Sequence, residues 1–325
     1  MFHWDRGLFL TPAGLAVDVC RRQPRGFISH AHADHLGTHE LALCTPDTAC
    51  LYRHRRGAHR RVWELPFRMP RELGPLQLTS YPAGHCLGSA MLLARQSTAA
   101  GQQQSLLYTG DFKLGQSATC IEAELPQADI LVMECTFGRP QYRLPPRMEM
   151  VAELIELVRR SLEAERTPVL HLYPLGKGQE ITRLLTMAGI PVLQHPMTYA
   201  VSEIYQNCGI DLGNVSRHDE HSLVDGQVPP GHAVVTIPRR MRNFRLRGIQ
   251  RPVSIAVTGW ALDASAKVRW DVDHALPLSD HADFNQLLET AERVGAKKIY
   301  CTHGPREFVD HLREAGFNAF PLMDR

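Results

Sequence analysis

The most chemically informative part of this 325-residue chain is the hexad at residues 30–35, which reads His-Ala-His-Ala-Asp-His. It holds four residues that commonly bind metal ions: His30, His32, Asp34 and His35. His30 and His32 alternate along an extended segment, so both imidazoles should leave the same side. Asp34 and His35 follow where a helix is expected to begin and can face a second ion. The hexad therefore predicts ligands for two metal ions.

Three further residues of ligand type stand at, or just after, the ends of short apolar segments typical of β-strands: His85, Asp111 and His303. Each of them alone could be an ordinary structural residue. Together with the hexad they supply enough nitrogen and oxygen donors to complete two sites. A histidine-rich surface loop is the alternative interpretation, and four ligand residues in six positions after an apolar segment disfavour it.

The elements that must position these residues change character along the chain. From Leu15 to Asp111, short segments of β type alternate with polar loops. Residues 148–165 then have apolar side chains at helical spacing, followed by a predicted strand at 169–173, a helix from about residue 179 and a strand at 191–193. Strand, helix and strand in this order predict a parallel sheet.

The order of Asp18, the hexad, His85, Asp111 and His303 resembles the metallo-β-lactamase fold. Glu134, in Val-Met-Glu-Cys-Thr-Phe-Gly, and His281, in Leu-Ser-Asp-His-Ala-Asp, resemble the additional acidic and histidine motifs of the β-CASP nucleases. The segments 136–146, 173–180 and 279–284 are most similar to the bacterial ligase-associated DNA exonucleases.

This resemblance implies an α/β fold, an αββα metallo-β-lactamase sandwich with an inserted β-CASP-like α/β domain. The implied boundaries are 1–140 and 263–325 for the two parts of the sandwich, and 141–262 for the insertion.

The resemblance also implies the roles of the site residues. His30, His32 and His85 would bind one divalent ion, Asp34, His35 and His303 the other, and Asp111 would bridge the two. Asp18 would orient a ligating imidazole, and a set of nitrogen and oxygen ligands fits zinc or manganese. Asp34, Glu134 and His281 are the expected catalytic residues. His281 would be a general acid or phosphate contact whose pKa is raised by Glu134, with a helix-capping or core histidine as the alternative.

Two arginine-rich stretches, at residues 53–71 and 239–251, favour contact with nucleic acid, because a guanidinium suits bidentate contact with phosphate. The alternative for each stretch is a solvated surface. Lys177 lies between two glycines before a predicted helix, where a phosphate can bind, although a tight turn explains the glycines equally well. The expected nucleic-acid contacts are Ser89, Lys177, Arg239, Arg240, Arg242 and Arg245.

Composition excludes several classes of protein. A net charge of +2 with 44% hydrophobic and 22% charged residues is typical of a globular protein. No stretch of 18 apolar residues and no secretory signal occurs, so a cytoplasmic location is expected. The eight cysteines form no Cys-x-x-Cys pair, which argues against a thiolate zinc finger and favours free thiols.

The sequence thus predicts a dimetal DNA exonuclease in repair, associated with a DNA ligase. An RNA-processing nuclease of the same superfamily is the alternative, disfavoured because only 22 residues follow His303, too few for a further domain. A catalytically silent binding subunit is disfavoured because every ligand position is filled. A small-molecule hydrolase is disfavoured by Glu134 and His281.

Overall fold

The computed structural model describes residues 1–97, 103–238, 247–263 and 265–322. The chain forms two compact units, one made of Met1–Gln141 with His281–Arg325 and the other of Tyr142–Asp280. We call them the sandwich unit and the inserted unit.

The strands are β1 Phe2–Trp4, β2 Leu8–Leu10, β3 Leu15–Val17, β4 Arg25–Phe27, β5 Leu41–Cys44, β6 Val62–Glu64, β7 Arg71–Leu73, β8 Leu76–Pro82, β9 Ala90–Ser97, β10 Gln103–Tyr108, β11 Ile130–Glu134, β12 Thr167–His171, β13 Val192–Gln194, β14 Val215–Arg217, β15 Ala233–Thr236, β16 Pro252–Val257, β17 His274–Leu276, β18 Lys298–Thr302 and β19 Ala319–Pro321. The α-helices are α1 Pro46–Arg56, α2 Arg147–Glu163, α3 Lys177–Met187, α4 Pro196–Asn207, α5 Ala266–Trp270, α6 Phe284–Val294 and α7 Glu307–Glu314. Within the described ranges, every helix is too short or too polar to cross a bilayer.

The sandwich unit has two sheets, with strand orders β1-β2-β3-β4-β5-β6 and β19-β18-β11-β10-β9-β8-β7. Side chains of β9 alternate between two cores, as the pleat of a strand requires. Leu92 packs with Phe27 of the first sheet, whereas Leu93 packs with Leu287 and Phe308 of helices α6 and α7. The seven-stranded sheet is therefore covered by a sheet on one face and by helices on the other. This arrangement confirms the expected mixed α/β fold.

The inserted unit has one sheet, of order β14-β13-β15-β12-β16-β17, in which all the paired strands are parallel. Helix α2 buries Val151, Leu154 and Val158, which recur at helical spacing, against this sheet. The predicted strand, helix and strand are confirmed in β12, α3 and β13. Their bounds differ from the predicted ones by about two residues.

The chain leaves the inserted unit later than the sequence suggested. The return was expected after residue 262, but the inserted unit extends to Asp280. The reason is β17, which pairs in parallel with β16, from Ile255 opposite His274 to Val257 opposite Leu276. Three residues are too short a segment to stand out in the sequence as a strand.

The helix expected after the hexad does not form. Residues 33–35 make a turn, in which the His35 N–H donates to the His32 carbonyl at 3.2 Å, and the next helix begins only at Pro46. The chain must pair again as β5 soon after the turn. His39 occupies the space between Gly26 and Gly37, because a Cβ on either glycine would lie 2.3 Å from its ring.

Candidate metal centre

Three histidines converge in the sandwich unit on one point beyond the strand ends. His32 Nδ1 lies 3.0 Å from His30 Nε2 and 3.1 Å from His85 Nε2. Together with a carboxylate oxygen of Asp111, these ligand atoms all lie within 4.8 Å of one another. The structure thus brings together the four residues that the sequence assigned around the first ion.

The donor set fits a small divalent cation. Ligand atoms bound at about 2.0–2.1 Å to a tetrahedral zinc ion stand roughly 3.3 Å apart. The nitrogen separations of 3.0 and 3.1 Å are close to that value. Burial holds the pKa of His30 well below its ordinary value, and the charge of His35 lowers it further. A neutral imidazole is the form that binds metal.

Glycines place two of these ligands. Gly84 and Gly110 have φ angles of +74° and +56°, and they directly precede His85 and Asp111. A Cβ on Gly84 would lie 2.3 Å from the Lys113 carbonyl oxygen. A side chain at either position is therefore disfavoured by the left-handed backbone and by close neighbours.

Asp111 lies between the two sets of histidines. Its Oδ2 is 3.4 Å from His30 Nε2, 3.5 Å from His35 Nε2 and 3.9 Å from His85 Nε2. Burial alone would raise the pKa of Asp111, but the charges of His35 and His281 hold it well below its ordinary value. An ionised carboxylate in this position is suited to contact two cations.

Asp18 contacts the Nδ1 side of the His35 ring. Its Oδ2 accepts hydrogen bonds from Ser29 Oγ at 2.5 Å and Tyr108 OH at 2.9 Å, and lies 2.8 Å from His35 Nδ1. Its Oδ1 accepts from the Ser29 N–H at 2.7 Å. Burial would lower the pKa of His35, yet Asp111 and Asp18 raise it well above its ordinary value. These bonds leave His35 Nε2 directed at Asp111.

Sequence reasoning missed Ser29 and Tyr108. Both lie in apolar segments that the sequence analysis used only to locate the ligand residues that follow them. The available signal was a hydroxyl-bearing side chain at the end of an apolar strand, next to an expected buried carboxylate. Such a carboxylate needs donors for its remaining lone pairs.

Asp34 and His303 are the two exposed residues among the expected ligands. The Asp34 side chain is 79% exposed, and its Oδ2 lies 3.8 Å from His35 Nε2. The His303 residue is exposed, has a left-handed backbone at φ 51°, and holds its ring 5.4 Å from that of His35. Both residues lie beside His35, the histidine with which the sequence grouped them.

Glu134 and His281 form a pair next to Asp111. His281 Nδ1 lies 3.0 Å from Glu134 Oε1, and Asp111, Glu134 and His281 all offer atoms within 4.8 Å of one another. Glu134 is buried and also accepts hydrogen bonds from the Phe112 and Thr136 N–H groups at 3.2 and 3.0 Å. This arrangement fixes the carboxylate and leaves His281 Nε2 as the ring nitrogen away from Glu134.

Two expected nucleic-acid contacts have structural partners instead. Ser89 is buried, and its Oγ accepts from the His85 and Cys86 N–H groups at 3.1 Å, so it holds the turn that carries His85. Lys177 is 3% exposed, donates to the Leu278 carbonyl at 3.0 Å and lies 3.3 Å from Asp280 Oδ1. Neither side chain offers the free surface that phosphate contact requires.

The two arginine-rich stretches have different outcomes. In the first, Arg55 Nη1 donates to the Ala31 carbonyl at 2.5 Å and Arg56 Nη2 to the Leu36 carbonyl at 2.9 Å. These two arginines therefore brace the metal-ligand hexad. The second stretch contributed the expected contacts Arg239, Arg240, Arg242 and Arg245, which lie outside the described residues.

Comparison with known proteins shows what the sequence of this chain is similar to. Residues 265–320 match the model of the Zn-dependent metallo-hydrolase RNA specificity domain. A protein of Opitutus terrae named "Probable DNA ligase" is 36% identical over 98% of this chain and 31% of its own length. The chicken (Gallus gallus) "5' exonuclease Apollo" is 28% identical over 81% of this chain and 55% of its own. "Endoribonuclease ysh1" of Emericella nidulans is 30% identical over 58% of this chain and 22% of its own.

The chain is therefore similar to the β-CASP nucleases of the metallo-β-lactamase fold. The resemblance seen in the sequence is confirmed at this level. The chain spans between about a fifth and just over half of the length of these three relatives.

Proposed function

We propose that this chain is a dimetal-dependent DNA exonuclease that acts in DNA repair together with a DNA ligase. The convergence of His30, His32, His85 and Asp111 beside the Glu134–His281 pair carries the proposal. The DNA substrate and the ligase partner are supported by the relative named as a ligase, which aligns with nearly the whole chain.

In this proposal His30, His32 and His85 would hold one divalent ion and Asp34, His35 and His303 the other, with Asp111 available to both. When bound, zinc or manganese ions would activate water and neutralise charge on the phosphate oxygens. Asp18 keeps His35 in the required orientation through the bond to its Nδ1.

His281 supplies the proton for the departing oxygen from its Nε2. The Glu134 carboxylate, with Oε1 3.0 Å from Nδ1, fixes the orientation of the imidazole ring. The His281 side chain is 22% exposed, so a substrate can reach it, whereas Glu134 is almost fully buried. These differences suit a general acid and its supporting carboxylate.

A cytoplasmic location is part of the same proposal. All eight cysteines are free, as expected of a protein in a reducing compartment.

The test is an assay with end-labelled single- and double-stranded DNA and matched RNA, run separately with zinc and with manganese. We expect products released from a DNA end, with RNA cleaved more slowly, and no cleavage by an Asp111→Asn control. Faster cleavage of RNA would instead support an RNA-processing nuclease. That second candidate is favoured by the RNA specificity domain that matches residues 265–320.

A further inference from the structure

The inserted unit contains a cavity of about 300 Å³ that the catalytic site does not use. His171 and Val257, which line it, are the last residues of β12 and β16. The cavity therefore opens at the carboxyl ends of the parallel strands, where open α/β sheets most often bind ligands. Its volume lies at the lower end of the range for small-molecule sites.

Large aromatic side chains form part of its described lining. Tyr173 and Trp260 line the cavity and are 56% and 38% exposed, and Trp270 lines it as well. Trp260 packs edge-on against Tyr142, with ring centroids 5.0 Å apart, which restricts its motion. Exposed rings around a cavity provide flat faces on which a planar ligand can stack.

The charged side chains that line the cavity limit the class of ligand that it can bind. Among the described residues, the charged side chains that line the cavity are Arg269 and Asp271. Arg269 is 52% exposed along its side chain, lies over the Trp270 ring at 6.0 Å and is oriented by Asp263 at 2.7 Å. A bare phosphate would be repelled by Asp271. A nucleobase offers N–H donors to Asp271, while the phosphate attached to it can approach the exposed Arg269.

We propose that this cavity binds a nucleobase of the substrate strand by stacking on Tyr173 and Trp260. The inference rests on the proposed nuclease function, because a strand must be bound before one of its bases can enter. Every base has a π face, so the site would hold the strand with little preference for sequence. It adds a base contact within the inserted unit to the phosphate chemistry of the sandwich unit.

The test measures binding of a short labelled oligothymidylate by fluorescence anisotropy. The full chain carries Asp111→Asn in excess zinc, so that the bound strand stays intact. A set of oligonucleotides, each with one abasic site, moves the missing base along the strand. We compare Trp260→Ala, Tyr173→Ala and Trp260→Phe with Val268→Ala, a control on the same short helix as Arg269 that is 84% exposed and does not line the cavity.

We expect Trp260→Ala to weaken binding of the intact strand roughly 5- to 150-fold, the factor given by loss of one base stack. Trp260→Phe should retain most of the affinity, and Val268→Ala all of it. At one position along the strand, the missing base should weaken binding by the parent but not by Trp260→Ala. Circular dichroism melting identifies a variant that fails to fold, in which case Trp260→Phe and Tyr173→Ala decide.

The outcomes separate the two proposals. If the wild-type chain neither binds nor cleaves DNA, the nuclease proposal fails, and this inference fails with it. If the wild type cleaves DNA, but every abasic position affects parent and Trp260→Ala equally, only the cavity inference is overturned. If free thymidine monophosphate bound to the chain without changing its affinity for the strand, the inference would also be overturned. The cavity would then serve a separate small molecule.

Discussion

At the scale of single residues, the site depends on which groups carry charge. Asp111 is an ionised carboxylate among imidazoles, and His30 is held neutral by burial. Glu134 is fixed by two backbone N–H groups and faces His281. The proposed chemistry can therefore be divided into metal binding, centred on Asp111, and proton transfer, centred on His281.

Asp111→Asn tests the first part. The amide keeps the shape of the side chain but loses the charge that would offset two cations. We expect lower metal content and loss of hydrolysis amounting to several kcal/mol of transition-state stabilisation. Elemental analysis and DNA hydrolysis measure the two effects. Wild-type turnover by this variant would rule out Asp111 as the bridging ligand.

His281→Ala tests the second part. The variant should retain two metal ions, because the ligand set is intact, yet its rate should fall on the order of 10²–10⁴-fold. Elemental analysis alongside single-turnover hydrolysis distinguishes the two properties. If one metal equivalent were lost instead, His281 would be a ligand and not the proton donor.

The sequence indicated these residues because ligands collect where apolar strands end. It did not reveal what Ser89 and Lys177 contact. Ser89 accepts from nearby backbone N–H groups, and Lys177 reaches a carbonyl about a hundred positions away in the chain. The turn that brings Ser89 to these N–H groups, and the distant partner of Lys177, become known only from the folded chain.

At the scale of elements, buried polar side chains hold the segments that carry the site. Lys177 begins α3, where its charge opposes the helix dipole. It is nevertheless buried, because Leu278 and Asp280 receive its ammonium group. His39 fills the gap beside β4 and accepts the Gln23 N–H at 3.2 Å.

Lys177→Met is expected to destabilise the chain by about 2 kcal/mol. Removing the ammonium takes away the positive charge 3.3 Å from the Asp280 carboxylate and the donor to the Leu278 carbonyl, and the partial exposure of Asp280 reduces the cost below that of a fully buried pair. Urea denaturation measures the change, with Lys267→Met, an exposed lysine, as the control. Unchanged stability together with weaker DNA binding would return Lys177 to the role of a phosphate contact.

His39 should make stability depend on pH. Burial lowers its pKa to about 4, although Asp18 acts in the opposite direction. In the unfolded chain the pKa of His39 is near 6.5, so His39 binds a proton more readily there than in the folded chain. This contribution to stability is complete above pH 6.5 and falls by about 3 kcal/mol as the pH approaches 4.

The measurement is the free energy of unfolding of the wild type and His39→Asn, in the presence of a chelator, across this pH range. The free energy of unfolding of His39→Asn should depend less steeply on pH than that of the wild type. The other histidines are common to both proteins, so the difference reports on His39. Equal slopes would contradict the depressed pKa of His39.

At the scale of the whole molecule, the sequence predicted the α/β class and the presence of an inserted parallel sheet, because α2 and β12 have clear periodicity. It placed the return to the sandwich unit too early, since β17 is defined by its pairing with β16 and not by its composition. The similarity to relatives named as nucleases supports the proposed hydrolysis by a metal-dependent nuclease. The choice between DNA and RNA depends on substrate assays.

Restoring metal to the chelator-treated protein tests the central claim most directly. Zinc or manganese is added in steps while DNA hydrolysis is followed. We predict no hydrolysis without metal and a plateau at two equivalents per chain, because the proposal assigns one ion to His30, His32 and His85 and a second to Asp34, His35 and His303, with Asp111 shared. Full activity at one equivalent, or hydrolysis in the presence of the chelator, would contradict the two-metal account.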